Sequence, residues 1–185
     1  MKHVLMVISG PSGVGKGTIV KALKTRRADV VESISCTTRA PRNGETHGKE
    51  YFFLSKEEFL RRIDEKDFLE YDAHFENYYG TPKSFVYETL KEKSVILEID
   101  VKGGLNVKEV CPESVLVMIA PPSVEELKRR LQGRETETVE QIEKRLARLE
   151  YELSMQDKYD YVVINDDLEK AICEVERILD VSAAE

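Results

Sequence analysis

Short apolar runs alternate with polar stretches at helical spacing through most of the chain. Val4-Leu5-Met6-Val7-Ile8 is rich in β-branched residues and stops at a glycine cluster; Thr18–Arg27 then carries basic and apolar residues at helical spacing. The pattern predicts strand, loop, helix. Three later runs, Val95–Ile99, Val115–Ala120 and Tyr161–Ile164, alternate with helical stretches near 103–110, 123–131, 138–157 and 167–180. Such alternation predicts an α/β fold in which a parallel sheet is flanked by helices.

Residues 36–88 break this rhythm. They are rich in Arg, Gly, Tyr, Phe and Asn, with turn signals at Pro41-Arg42-Asn43-Gly44 and Tyr79-Gly80, and they read as an inserted lobe of mixed structure. The polar segment 132–140, between two basic helices, reads as a mobile flap. A chain of 185 residues fits one domain. The expected division is a core of 1–35, 89–131 and 158–185, a lobe of 36–88 and a short lid of about 132–145.

Composition narrows the function classes. At 41% hydrophobic and 34% charged, with no apolar run near the roughly 20 residues of a membrane span, the chain is expected to be soluble and not to cross a bilayer. Met1–Ile8 lacks the continued apolar region and small-residue cleavage site of a secretory signal, so residence in the cytoplasm is expected. Lys plus Arg of 28 against Asp plus Glu of 35 gives −7, which argues against sequence-independent binding to nucleic acid. Any phosphate must therefore be held by a local site. Cys36, Cys111 and Cys173 form no C-x-x-C pair and read as packing residues. His3, His47 and His74 show no metal-ligand spacing, so no metal site of protein ligands is expected.

Gly10-Pro11-Ser12-Gly13-Val14-Gly15-Lys16 lies between the first strand and first helix, the context in which a phosphate-binding P-loop works. Its glycines let the backbone curl with N–H groups pointing inward, toward phosphate oxygens at the positive end of the helix. The Lys16 ammonium reaches the outer phosphates of a nucleoside triphosphate. Gly17 stands where the strict motif has Ser or Thr, and Thr18 follows, so a hydroxyl for Mg²⁺ is displaced by one position.

The inserted lobe carries groups suited to a second nucleotide. Ser35-Cys36-Thr37-Thr38-Arg39-Ala40-Pro41-Arg42 places two guanidiniums three residues apart around a proline turn, and such forks match phosphate oxygens. Gly48-Lys49-Glu50-Tyr51-Phe52-Phe53, Phe68-Leu69-Glu70-Tyr71 and Asn77-Tyr78-Tyr79-Gly80-Thr81 follow. With G-P-S-G-V-G-K-G-T, T-T-R-x-P-R, I-D-V-x-G, R-L-x-G-R and K-R-L in order, the chain from about 4 to 178 resembles the guanylate kinase family.

That resemblance implies a P-loop enzyme of purine nucleotide metabolism. It would transfer the γ-phosphoryl group of ATP, with Mg²⁺, to GMP and also to dGMP. Ser35, Arg39, Arg42, Tyr51 and Tyr79 would surround the GMP phosphate, and Glu70, Thr81 and Asp100 would face the guanine. Arg130, Arg134 and Arg145 would close over the triphosphate, Arg134 and Arg145 stabilising charge on the moving group, with Arg148 a further helper. Asn165 matches a position near the adenine, and a helix cap is the other reading of it. Asp100 orients either the guanine amino group or a water on Mg²⁺, or else caps a helix at Gly103-Gly104. Glu135 departs from the family's glycine after Arg134 and adds negative charge there.

Chemistry supports the acceptor reading. Guanine offers N1–H and N2–H₂ donors beside an O6 acceptor, so an ionised Glu70 accepts from both nitrogens while Thr81 donates to O6. Three other readings compete, one of them a kinase for another nucleoside monophosphate such as AMP, UMP or dTMP, against which the 36–88 lobe argues. Asp100-Val101-Lys102-Gly103 fits the D-x-x-G of a GTPase, but the chain has no N-K-x-D. A non-catalytic guanylate-kinase-like module binding a phosphorylated peptide would not need Lys16, Glu70 and the flap arginines together.

Overall fold

The computed structural model describes residues 2–74, 76–127 and 139–184. Leu5–Ser9 forms β1, every residue of it buried. It lies in a five-stranded sheet of order β2-β7-β1-β8-β9, with β2 Val30–Glu32, β7 Ser94–Glu98, β8 Val115–Ala120 and β9 Tyr161–Ile164. All pairings in this sheet are parallel. Strands buried on both faces read as continuous apolar runs, which is why β7 and β8 were visible in the sequence; β9, at the edge with Val162 and Ile164 exposed, was visible because it is β-branched and apolar all the same. The three-residue β2 at the edge was not anticipated, because Val30-Val31-Glu32 is too short to show periodicity.

Alternate side chains of β1 enter two separate cores. Met6 and Ile8 pack with Ile19 and Leu23 of α1 (Lys16–Arg26) and with Ile172, Val175 and Ile178 of the C-terminal helix Leu168–Ala184. Leu5 and Val7 face the other way, toward Val86 of α3 (Lys83–Thr89) and Val107 of α4 (Val101–Val110). Each aliphatic side chain so buried contributes about 1.5–3 kcal/mol. The sheet is thus held between two helical layers, as the sequence pattern predicts.

A second sheet, of order β4-β3-β6-β5, is built from β3 Cys36–Thr37, β4 Phe52–Phe53, β5 Phe68–His74 and β6 Asn77–Pro82. Its small core joins Cys36 and Phe68 to Phe59 of α2 (Lys56–Asp64), with the Phe59 and Phe68 rings stacked 4.5 Å apart. α2 starts cleanly because the Ser55 hydroxyl accepts from Glu58 N at 3.1 Å. Helix α3 leaves this sheet and buries Val86 in the main core.

Two expectations change in detail. The helix expected over 138–157 is α5, Val139–Ser154, followed by a tight turn at Gln156–Lys158; the C-terminal helix is α6, Leu168–Ala184. Residues 128–138, and with them the first half of the expected lid, lie outside the described residues. Cys36 and Cys111 are buried packing residues whose thiols burial pushes up to about 11, but Cys173 is exposed on α6. Cys173 departs from the packing expectation because it stands on the solvent side of an amphipathic helix.

Candidate active site

The loop from Gly10 to Gly15 joins the carboxyl end of β1 to the start of α1. Gly10 has φ +138, and a Cβ there would overlap the Ile119 carbonyl oxygen of β8. Gly15 is left-handed at φ +103, and a Cβ there would lie 2.5 Å from Asn165 Nδ2. Only glycine lets the loop curl this closely against the sheet. Lys16, the first residue of α1, donates through Nζ to Gly10 O at 2.6 Å and to Pro11 O at 3.1 Å. Its ammonium therefore bends back over the loop. Burial lowers its pKa, while the carboxylates of Glu98, Glu152 and Asp100 oppose that shift.

Ser12, Gly13, Gly15, Lys16, Gly17 and Thr18 line a cleft of about 700 Å³, with the Glu98 carboxylate close beside Gly17. Pro11 and Val14 are buried beneath the loop. Asn165, just past β9, is also buried; its Nδ2 donates to Val14 O at 2.8 Å, and its backbone N donates to Ala120 O at 2.8 Å. The next helix is opened by Asp167, whose Oδ1 accepts from Lys170 N at 2.9 Å. Asn165 thus braces the phosphate loop instead of capping a helix.

The second sheet supplies the facing wall. Glu70 on β5 is paired with Thr81 on β6, and the Thr81 hydroxyl donates to Glu70 Oε1 at 2.6 Å. Burial raises the Glu70 pKa, and the nearby charges of Asp100 and Asp72 push it the same way. Ser35, Tyr51, Glu70, Tyr79 and Asp100 line one cavity of about 260 Å³, together with Asp72, Glu98 and Arg148. The Tyr51 and Tyr79 rings meet edge to face, with centroids 6.1 Å apart.

Arg39 lies over Tyr51 and Phe53, 5.5 and 5.8 Å from their centroids, and donates to Glu45 Oε1 at 2.9 Å and Ala40 O at 2.8 Å. Arg42 is exposed, and its backbone N donates to Glu45 Oε2 at 2.8 Å. Glu45 thereby ties together the two arginines that the sequence had singled out. Asp100 opens α4: its Oδ1 accepts from Gly103 N at 2.8 Å, the cap that the sequence left open, while Oδ2 accepts from Arg148 Nη2 at 2.9 Å.

Sequence reading missed Glu98 as a site residue, although it lines both the loop cleft and the acceptor cavity. Its signal was present: one carboxylate closes the apolar run Val95–Leu97 at the carboxyl end of a parallel strand, where ligands gather. Glu45, Asp72 and Glu152 gave no such signal. Arg130 and Arg134 lie outside the described residues, and Arg145 falls in α5 with its side chain outside them.

A family profile described as guanylate kinase matches residues 2–182. The chain belongs to the guanylate kinase family. The guanylate kinase of Caldanaerobacter subterraneus subsp. tengcongensis is 52% identical over 177 residues, covering 95% of this chain and 86% of that protein. That of Clostridioides difficile is 48% identical over 179 residues, covering 96% of this chain and 87% of its own. Among solved structures, guanylate kinase from Anaplasma phagocytophilum superposes with a TM-score of 0.76 at 34% identity, covering 100% of this chain and 88% of that one. Shikimate kinase from Bacteroides thetaiotaomicron, at 14% identity and a TM-score of 0.54, covers 96% of this chain and 98% of its own, and shares the fold alone. Together they make the main sheet a P-loop kinase sheet.

Proposed function

We propose that this chain transfers the γ-phosphoryl group of ATP to GMP, giving ADP and GDP. The observation that carries the reading is that the Lys16 loop and Glu70 open onto neighbouring cavities that share Glu98, and that Thr81, bonded to Glu70, lines a further cavity of about 270 Å³ that Glu98 lines too. Donor and acceptor sites are then two walls of one cleft.

The chemistry asks mainly for alignment and positive charge, because a loose phosphoryl-transfer transition state leaves little covalent work. The loop amides and Lys16 hold the triphosphate. Arg39, Arg42, Ser35, Tyr51 and Tyr79 hold the acceptor phosphate, whose oxygen is the nucleophile. Glu70 accepts from guanine N1–H and N2–H₂, and Thr81 donates to O6 once it turns from Glu70. Adenine would set a lone pair against the carboxylate and leave buried polar groups unpaired. Arg130, Arg134 and Arg145 remain assigned to the triphosphate by resemblance.

Mg²⁺ fits the oxygen groups beside the loop, the exposed Thr18 hydroxyl and the Glu98 carboxylate. Among the described residues no cluster of three His, Cys, Asp or Glu could hold a metal ion by itself, so the ion would enter with the triphosphate. When bound, it offsets negative charge on the phosphate oxygens. Among the described residues no helix is long and apolar enough to cross a membrane. The three free cysteines suit the reducing cytoplasm, the compartment we propose.

The test is ADP release on mixing the purified chain with ATP, Mg²⁺ and GMP. Turnover is expected with GMP and dGMP, with a loss on the order of 10⁴ in kcat/KM for AMP. Binding of GMP with no ADP release would instead identify a non-catalytic module.

A further inference from the structure

Glu152 is a buried charge that the transfer scheme leaves without a task. It lies on α5 with 5% of its surface exposed, and its Oε1 accepts from Arg148 Nε at 2.9 Å. Arg148, one turn earlier on the same helix face, extends Nη2 to Asp100 Oδ2 at 2.9 Å. The other Asp100 oxygen accepts from Gly103 N at 2.8 Å. The Asp100 carboxylate is therefore fixed from two helices at once, α4 through the cap and α5 through the guanidinium.

The arginine fork suits this task. Nε bound to Glu152 sets the plane of the guanidinium, and Nη2 then projects from that plane toward Asp100. Asp100 and Arg148 line the 260 Å³ cavity that also holds Glu70 and Asp72, and they line an adjoining cavity of about 210 Å³ that holds Lys102 and Tyr151. Their bridge is the partition between the two. Four carboxylates, Glu70, Asp72, Glu98 and Asp100, line that cavity, and the charges of Asp72 and Asp100 act against Glu70. Arg148 offsets this at Asp100, and Lys102, with Nζ 3.6 Å from Asp72 Oδ1, offsets it at Asp72.

We infer that Arg148, anchored by the buried carboxylate of Glu152, is a positioning residue for the guanine acceptor, holding Asp100 as a wall of the pocket in which Glu70 reads the base. The inference rests on the reading of this cavity as the GMP site. It separates Arg148 from the triphosphate arginines, since its Nε and Nη2 are turned to carboxylates.

Steady-state kinetics on the full chain test it, with wild type compared against R148K, R148M and R148M/E152Q. Removing Arg148 is expected to raise KM for GMP about tenfold, the scale of one charge-assisted hydrogen bond. Changes in kcat and in KM for ATP are expected to stay below about threefold on the same scale. R148K recovers only part of the loss, because an ammonium cannot span Glu152 and Asp100 with a planar fork. The double variant removes the stray buried charge and is expected to keep the raised KM for GMP. A return to wild-type KM in the double variant, or a fall in kcat with KM for GMP unchanged, would overturn the inference. A wild-type chain that fails to phosphorylate GMP would overturn the reading of the site itself, and the two failures are therefore distinct.

Discussion

Around Lys16 the groups proposed to face a phosphate are main-chain amides, shaped by glycines pressed against β8 and Asn165. Around Glu70 they are side chains on a four-stranded sheet and on its β3–β4 loop, set against one another by bonds such as Thr81 to Glu70 and Arg39 to Glu45. The first region is part of the fold and tolerates little change in shape. The second is mounted on the fold and tolerates a change in chemistry. A triphosphate presents the same oxygens whatever base it carries, so backbone suffices to bind it. One base must be told from another by donors and acceptors that only side chains vary.

Four substitutions would break or sharpen this contrast, beginning with the largest effect. Lys16→Ala is expected to lower kcat by about 10³-fold with circular dichroism and melting temperature little changed. A variant that kept near-normal turnover would remove Lys16 from the transfer. Glu70→Gln is expected to reduce the preference for GMP over AMP by about 10²-fold or more while KM for ATP stays the same; an unaltered preference would show that Glu70 does not read the base.

The same substitution reports on stability. Burial raises the Glu70 pKa above its ordinary 4.5, so the folded chain loses stability as pH rises through the raised value. Ligand-free Glu70→Gln is therefore expected to melt above wild type at neutral pH, the gap closing as pH falls toward 4.5. Wild-type affinity for GMP should weaken over that interval, because a protonated carboxyl cannot accept from both guanine nitrogens; titration calorimetry at stepped pH measures it.

Gly15→Ala places a Cβ 2.5 Å from Asn165 Nδ2 at a left-handed position. A loss of about 1–3 kcal/mol in denaturant melts is expected, together with weaker ATP binding. Asn165→Ala has the smallest effect: leaving the Val14 carbonyl without that donor costs about 1–2 kcal/mol. If it raised KM for ATP with no change in stability, Asn165 would be touching the nucleotide instead of bracing the loop.

Legibility in the sequence follows the same division. The phosphate loop was readable because its residues are contiguous and stand between an apolar run and a helix. Glu70 and Thr81 were readable as motifs through resemblance, but their contact needs the register of β5 on β6, which no local pattern states. Glu152 was invisible: a glutamate on an amphipathic helix looks solvated, and only packing reveals that Arg148 carries its charge across to Asp100. Asn165 stands just past an apolar run that the sequence shows, but its partner, Val14, is 151 residues away and no local pattern names it.

The order β2-β7-β1-β8-β9 also has a consequence for biosynthesis. β1 occupies the middle of the sheet, and its neighbour Val95 follows Leu5 by 90 positions. On the ribosome, the strand that leads into the Lys16 loop therefore waits with both its edges open until some 90 further residues have emerged. The amide that clasps that loop arrives still later. Long-range pairing of this kind is slow and exposes apolar strands meanwhile, so the nascent N-terminal half is where a chaperone would find most to hold.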